Sequence, residues 1–240
     1  NYKLNDGEWT SITSNTGSSA PSITVTNGDK IQFRGNNEQY YDSSSYAYNS
    51  FSGSTALFEA EGNVMSLIYG DDFKNKLTIS RAYAFASLFQ NCVNLVSAKN
   101  LILPATTLVD CCYQSMFYGC TSLTAAPQLP ATTLAYNCYS HMFWGCTSLT
   151  TAPVLPATTL AQSCYSNMFQ NCTSLTAAPE LPASTLAYSC YSGMFLRCTN
   201  LNYIKCLATD ISASSCTYSW VKGVASTGTF VKPSSMDDWT

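Results

Sequence analysis

The amino-acid sequence predicts an α/β fold: a solenoid of 26-residue repeats, each with a short parallel strand and a short helix, preceded by a small N-terminal β domain. Three observations carry this prediction. First, LPATTLVDCCYQSMFYGCTSLTAAPQ (103 to 128), LPATTLAYNCYSHMFWGCTSLTTAPV (129 to 154), LPATTLAQSCYSNMFQNCTSLTAAPE (155 to 180) and LPASTLAYSCYSGMFLRCTNLNYIKC (181 to 206) align without a gap. An imperfect unit, AFASLFQNCVNL (84 to 95), precedes them, and a degenerate one, CTYSWVKGV (216 to 224), follows in register. Units of this length cannot bury their apolar faces alone, so they stack, and atypical units close the ends. Second, the apolar residues inside each unit recur at helical spacing. Third, residues 1 to about 80 lack any 26-residue echo and are rich in Thr, Ser, Asn and Tyr. The chain therefore divides into an N-terminal β-rich domain or cap at 1–80, the solenoid at 81–224 and a C-terminal cap or linker at 225–240.

Within a unit, Cys138, Met142, Phe143 and Cys146 stand at i, i+4, i+5 and i+8, which predicts one buried face of a short helix, with Leu149 a turn later. Asn137, Ser163 and Ser189 precede the first cysteine, where a side-chain oxygen caps free backbone N–H groups. Asn91, Gly119, Gly145, Asn171, Arg197 and Gly223 precede the second cysteine position. All but Arg197 are residues that readily enter the left-handed conformation closing a helix. TSLTAAP and TSLTTAP are too short for a second helix and are expected to be extended. Pro127 and Pro130, with their equivalents in the next repeats, then interrupt the backbone ladder because proline has no N–H.

In the first segment, SITVTNGDKIQFRG alternates apolar residues around Asn27-Gly28 and predicts a hairpin. NYKLNDGEW predicts a second hairpin around Asp6-Gly7, and the polar, Tyr-rich stretch from Asn36 to Ser54 is expected to be a long loop.

Composition narrows the function. Charged residues are 10% of the chain, against roughly 25% in an ordinary soluble domain, a profile that suits an extracellular protein. A net charge of −3, with 11 Lys plus Arg scattered singly, offers no basic stripe for nucleic acid or a membrane surface. No apolar run approaches the roughly 20 residues of a membrane span, so this fragment is not expected to insert into one. The opening NYKLNDGEW has neither the charged start nor the apolar centre of a signal peptide, so the chain reads as a mature fragment without its signal or lipoprotein segment.

The twelve cysteines follow the repeat rather than CxxC pairs, which excludes zinc-ribbon and thioredoxin readings; no metal or cofactor is expected. Two states remain open. Buried thiols acting as small core residues are one. The other pairs 92 with 112, 120 with 138, 146 with 164, 172 with 190 and 198 with 216, and leaves Cys111 and Cys206.

The units MFYGCTSLT, MFWGCTSLT and MFQNCTSLT resemble the AFxxCxxL core of BspA-like leucine-rich repeat proteins of bacterial cell surfaces. Phe117, Phe143 and Phe169 match the family phenylalanine, Cys120, Cys146 and Cys172 its cysteine, and Leu123, Leu149 and Leu175 its leucine. Cys112, Cys138, Cys164 and Cys190 fall where that family usually has a buried isoleucine. The resemblance covers roughly residues 84 to 224 and departs from the family's period of about 23. It implies a leucine-rich-repeat-like solenoid, a secreted or outer-surface location, and a role in adhesion or ligand capture.

Nothing in the sequence assembles an enzyme. The single histidine, His141, occupies a position held by Ser115, Asn167 and Gly193 in sister repeats, which is the behaviour of a tolerated surface residue. Asp71-Asp72 lacks the spaced oxygens of a calcium loop. Tyr113, Tyr139, Tyr165 and Tyr191 are constant, which favours a structural stack over a binding ladder. Variable positions are the better candidates for ligand contact: Tyr118, Tyr136, His141, Trp144 and Tyr188. The expected partners are a host or microbial surface protein or a glycan, with no nucleic acid and the oligomeric state open. The alternative is a structural spacer or stalk that presents another domain.

Overall fold

The structure is a computed structural model that describes residues 1–12, 21–36, 51 and 54–236, together with the backbone of 41–42 and 47–48. The chain forms two compact units, one of residues 1–37 and 64–76, the other of 38–63 and 77–240. In the first, β1 (Tyr2–Leu4) pairs antiparallel with β2 (Ile31–Phe33). The hairpin expected around Asn27-Gly28 is not formed. The turn is there, closed by Asp29, whose carboxylate accepts from the Thr26 backbone N–H and hydroxyl at 2.7 and 3.0 Å. Asn5 ties the same turn to β1 by donating to Asp29 at 2.8 Å, so β2 takes β1 as its partner instead of residues 23–25. The Asp6-Gly7 turn forms as expected, with the Gly7 N–H donating to the Leu4 carbonyl at 3.0 Å. A short helix α1 (Ser66–Tyr69) and a 3-10 turn over Gly70–Asn75 complete this unit, and Asp71 pairs with Arg34.

The second unit holds the repeats. Short strands β3 (Tyr41–Asp42) and β4 (Ala47–Tyr48) pair antiparallel. Strand β5 (Phe58–Asn63) lies parallel to β6 (Leu95–Ile102), and β7 (Tyr203–Lys205) lies parallel to β8 (Thr229–Val231). Between these ends successive repeats touch through single parallel bridges, such as Ser97 to Ala125 to Thr151 and Thr107 to Thr133 to Thr159. Extended pairing is this short because the prolines that flank it have no N–H to donate.

The short helices expected in the repeats are absent, and the reason is visible in the backbone. In residues 137–146 the N–H groups of Cys138, Ser140, Met142, Trp144 and Cys146 donate three residues back within the coil, at 3.1 to 3.3 Å. Those of Asn137, Tyr139, His141, Phe143 and Gly145 instead donate to carbonyls of the next coil, on Gln162, Cys164, Ser166, Met168 and Gln170. Every fourth residue turns left-handed, with φ of 52° at Asn137, 59° at His141 and 73° at Gly145. The segment is thus a run of linked turns in which even residues close the coil and odd residues join it to its neighbour. An α-helix would direct every N–H inward along its own axis and leave none for stacking. The same pattern runs through 83–92, 111–120, 163–172 and 189–198.

A four-residue period puts Cys138, Met142 and Cys146 on one line and Tyr139 and Phe143 on the next, all at most 1% exposed. Leu129, Ala131 and Leu149 close the core of that repeat from the extended side. Identical rings then meet from coil to coil. Phe89, Phe117, Phe143, Phe169 and Phe195 stack at 5.4 to 5.8 Å with planes within 7°. Parallel, offset rings at this spacing are a favourable arrangement. Phe51 extends the column at its N-terminal end, with its ring 5.5 Å from Phe89 and its N–H on the Leu88 carbonyl at 2.9 Å. Its carbonyl accepts the Cys92 thiol, the contact that each repeat phenylalanine makes with the cysteine of the next coil. The expected loop from Asn36 to Ser54 therefore contributes, at Phe51, a surrogate coil.

Candidate aromatic binding surface

Residues 136, 140 and 144 recur at the four-residue spacing and each stands in a column from coil to coil, with Tyr136 exposed, Trp144 half-buried and Ser140 buried. The column of residue 144 contains the closest ring contact of the repeats: Tyr118 and Trp144 stack at 4.3 Å with planes 6° apart. Both are half-buried, so the stack lies against the coils and leaves part of each ring to solvent. Tyr136 and Tyr188 are 43% and 50% exposed and occupy the column of residue 136, with exposed Gln162 in the repeat between them. The Asp110 carboxylate accepts from the Tyr136 N–H at 3.1 Å and fixes the backbone there.

His141 is half-buried, and its carbonyl accepts from the Trp144 N–H at 3.1 Å. Its Nδ1 lies 2.7 Å from the Ser140 hydroxyl, and burial lowers its pKa, which favours the neutral imidazole. This pair is not a nucleophile and base. Ser140 is 2% exposed and its hydroxyl is within 3.2 Å of the Ser166 carbonyl, to which it donates. Ser166 and Ser192 repeat that bond to the following coil, forming a hydroxyl column that sequence reasoning did not single out. Its signal was available as the recurrence of Ser at 140, 166 and 192.

Of the five candidate residues, the fold brings Tyr118 and Trp144 into contact and sets His141 one turn away. Tyr136 and Tyr188 stand two repeats apart. The constant tyrosines are core: Tyr113, Tyr139, Tyr165 and Tyr191 are at most 1% exposed and stack at 5.8 to 6.2 Å. Their hydroxyls are buried without a hydrogen-bond partner among the described residues, and desolvation pushes their pKa values well above the usual phenol range.

All twelve cysteines are buried thiols, none of them in a disulfide bond. The second-position thiols of 120, 146, 172 and 198 donate to phenylalanine carbonyls of the preceding coil at 2.9 to 3.1 Å. Burial raises their pKa values, to about 12 at Cys198, and to about 12 at Cys138 and Cys190 in the first-position column. Such thiols are poor nucleophiles and poor ligands. Among the described residues no group of three or more His, Cys, Asp or Glu is placed to hold a metal ion, and no helix is long and apolar enough to cross a membrane.

No protein-family model matches this chain, and no curated protein is significantly similar to it. Among solved structures, a leucine-rich repeat protein of T. pallidum is similar at 22% identity, with a TM-score of 0.31. The match covers 50% of this chain and 60% of that protein, so the chain spans a little over half of its structural relative.

Proposed function

We propose that this chain is a non-catalytic binding module of a bacterial cell surface, a leucine-rich-repeat-like solenoid of the BspA type that engages a surface protein or glycan. The observation that carries it is the half-buried Tyr118–Trp144 stack, with Tyr136 exposed elsewhere on the same repeat. Paired aromatic rings already held rigid lose little entropy on binding and offer a flat apolar face to a sugar ring or a protein side chain. The columns that carry these rings vary between repeats while the core does not, so contact chemistry changes without cost to folding.

A glycan array together with capture from host mucus identifies the ligand. The double variant Trp144→Ala, Tyr118→Ala is expected to weaken its binding by about tenfold or more, since aromatic anchors dominate such interfaces. Unchanged affinity in a normally folded double variant rejects this surface and favours the spacer role.

A further inference from the structure

The rings of the candidate surface stand inside a longer strip. Residues 90–91, 118–119, 144–145 and 170–171 occupy the same place on successive coils and read Gln-Asn, Tyr-Gly, Trp-Gly and Gln-Asn. Backbone bonds lace these coils together: the N–H groups of Asn91, Gly119, Gly145 and Asn171 donate to the carbonyls of Tyr118, Trp144, Gln170 and Leu196 at 2.7 to 2.9 Å. The Tyr118–Trp144 stack is therefore bounded, one coil before and one coil after, by the same pair of amides. Left-handed backbone accounts for Asn91 and Asn171, with φ of 59° and 61°. It makes no demand on residues 90 and 170, yet both are glutamine.

All four amide residues are at least partly exposed. The Asn91 amide oxygen lies across Gly119, in the space that a Cβ there would fill, so glycine in the ring-bearing coil is what admits the amide. Charge, by contrast, is missing. From 111 to 179 the chain holds no Asp, Glu, Lys or Arg, whereas roughly one residue in four is charged in an ordinary soluble domain. His141, one turn from Trp144, adds none, because burial favours its neutral form.

Given the Tyr118–Trp144 stack as contact surface, the reading on which this step rests, we infer that the strip binds a neutral glycan chain laid along the coils. Its hydroxyls meet Gln90, Asn91, Gln170 and Asn171, and its C–H groups pack on the exposed parts of Tyr118 and Trp144. A carboxamide both donates and accepts, as a sugar hydroxyl does, so the two match with no formal charge on either side. Stacked coils lie about 4.8 Å apart, as neighbouring strands do, so four rows span roughly 14 Å, the length of a short oligosaccharide. A sulfated or uronic-acid glycan finds no Lys or Arg between 111 and 179, and a protein partner finds no countercharge there for its own charged residues.

Affinity electrophoresis of the full chain tests this, in gels that contain hydroxyethylcellulose, galactomannan or yeast mannan, with heparin and polygalacturonate as anionic counterparts. At least one neutral polysaccharide is expected to retard the chain, equally at low and high salt because there is no charge to screen. The anionic ones are expected not to. Trp144→Gln and Gln170→Leu each install the residue that the next repeat already carries at that place, so the coil is kept. Each is expected to weaken binding of the retarding polysaccharide by about tenfold, with an unchanged thermal melt. Retardation by no neutral polysaccharide overturns the proposal, as does equal retardation by an anionic one, loss of retardation in salt, or parent affinity in Gln170→Leu. If a protein from mucus binds through Trp144 and Tyr118 and no polysaccharide does, the glycan assignment falls while the wider reading of the surface stands. If polysaccharide binding survives Trp144→Gln, both fall.

Discussion

Replacing Tyr165 by Phe is expected to make the repeat unit more stable. The Tyr165 ring lies 5.9 Å from Tyr139 and 6.2 Å from Tyr191, is 1% exposed, and its hydroxyl has no partner among the described residues. In the unfolded chain that hydroxyl is hydrated, so folding strips its water and returns nothing, at a cost of about 1–3 kcal/mol. Phenylalanine preserves the ring contacts. The void left by one oxygen, on the order of 10 Å³, costs only about 0.2 kcal/mol. The balance is a gain of roughly 1–3 kcal/mol, and in a chain of this size each kcal/mol raises Tm by about 2–4 °C. Calorimetry of Tyr165→Phe beside the parent, at neutral pH where the phenol is uncharged, reads this directly. A loss of 1 kcal/mol or more would refute the reasoning, because it would mean that the hydroxyl is satisfied in the folded protein.

Further outcomes follow from the same geometry. Burial raises the thiol pKa values from the ordinary 9.0, to about 12 at Cys138, Cys190 and Cys198 and to about 11 at Cys206. Their stabilising contribution is therefore complete below pH 9 and is lost as pH rises through 11 to 12. The denaturation midpoint should fall steeply above pH 9, and alkylation of the denatured, unreduced protein should modify all twelve thiols, whereas modification of fewer than four would reinstate the disulfide scheme. Gly145→Ala, where φ is 73° and the nearest atom to an added Cβ is 3.8 Å away, should lose about 1–2 kcal/mol from backbone strain alone. Gly193→Ala should lose a similar amount in the same chemical denaturation series, because the atom that its Cβ would meet at 2.1 Å, Asn167 Oδ1, is the end of a side chain that can turn away.

Much of the stacking was legible because it is written in exact repetition. Phe117, Phe143 and Phe169 recur at 26 residues, and a ring that recurs in register must meet its copy. The local conformation was not legible. Cys138, Met142 and Cys146 fit both a helix and a four-residue turn run, since over eight residues the two periods part by only about 80°. The signal that separates them is polar. Asn137, His141 and Gly145, then Ser163, Asn167 and Asn171, mark every fourth residue, and small or amide side chains at that spacing accept positive φ where a helix interior would not. Only the last member of each series was read as left-handed. At the candidate surface, the variable columns pointed to Tyr118 and Trp144, but their mutual stacking depends on the lateral offset of adjacent coils, which no single repeat encodes. Phe51 escaped notice because its neighbours share no phenylalanine–cysteine spacing with the repeats, and only the contacts of its ring and carbonyl disclose its place.

The odd-even rule also decides which changes of length this molecule tolerates. A donor at residue 139 meets an acceptor at 164, and residue 165, 26 on from 139, joins in its turn to 190; because 26 is even, inward-closing and neighbour-joining residues keep their parity from one coil to the next. Duplicating or deleting one whole 26-residue unit preserves that parity and leaves both ends chemically as they were. A single residue gained or lost inside a turn run reverses it, presenting joining amides to the coil's own core and closing amides to the neighbour. Such a gene can grow or shrink by whole coils, and within a turn run it is closed to single-residue steps.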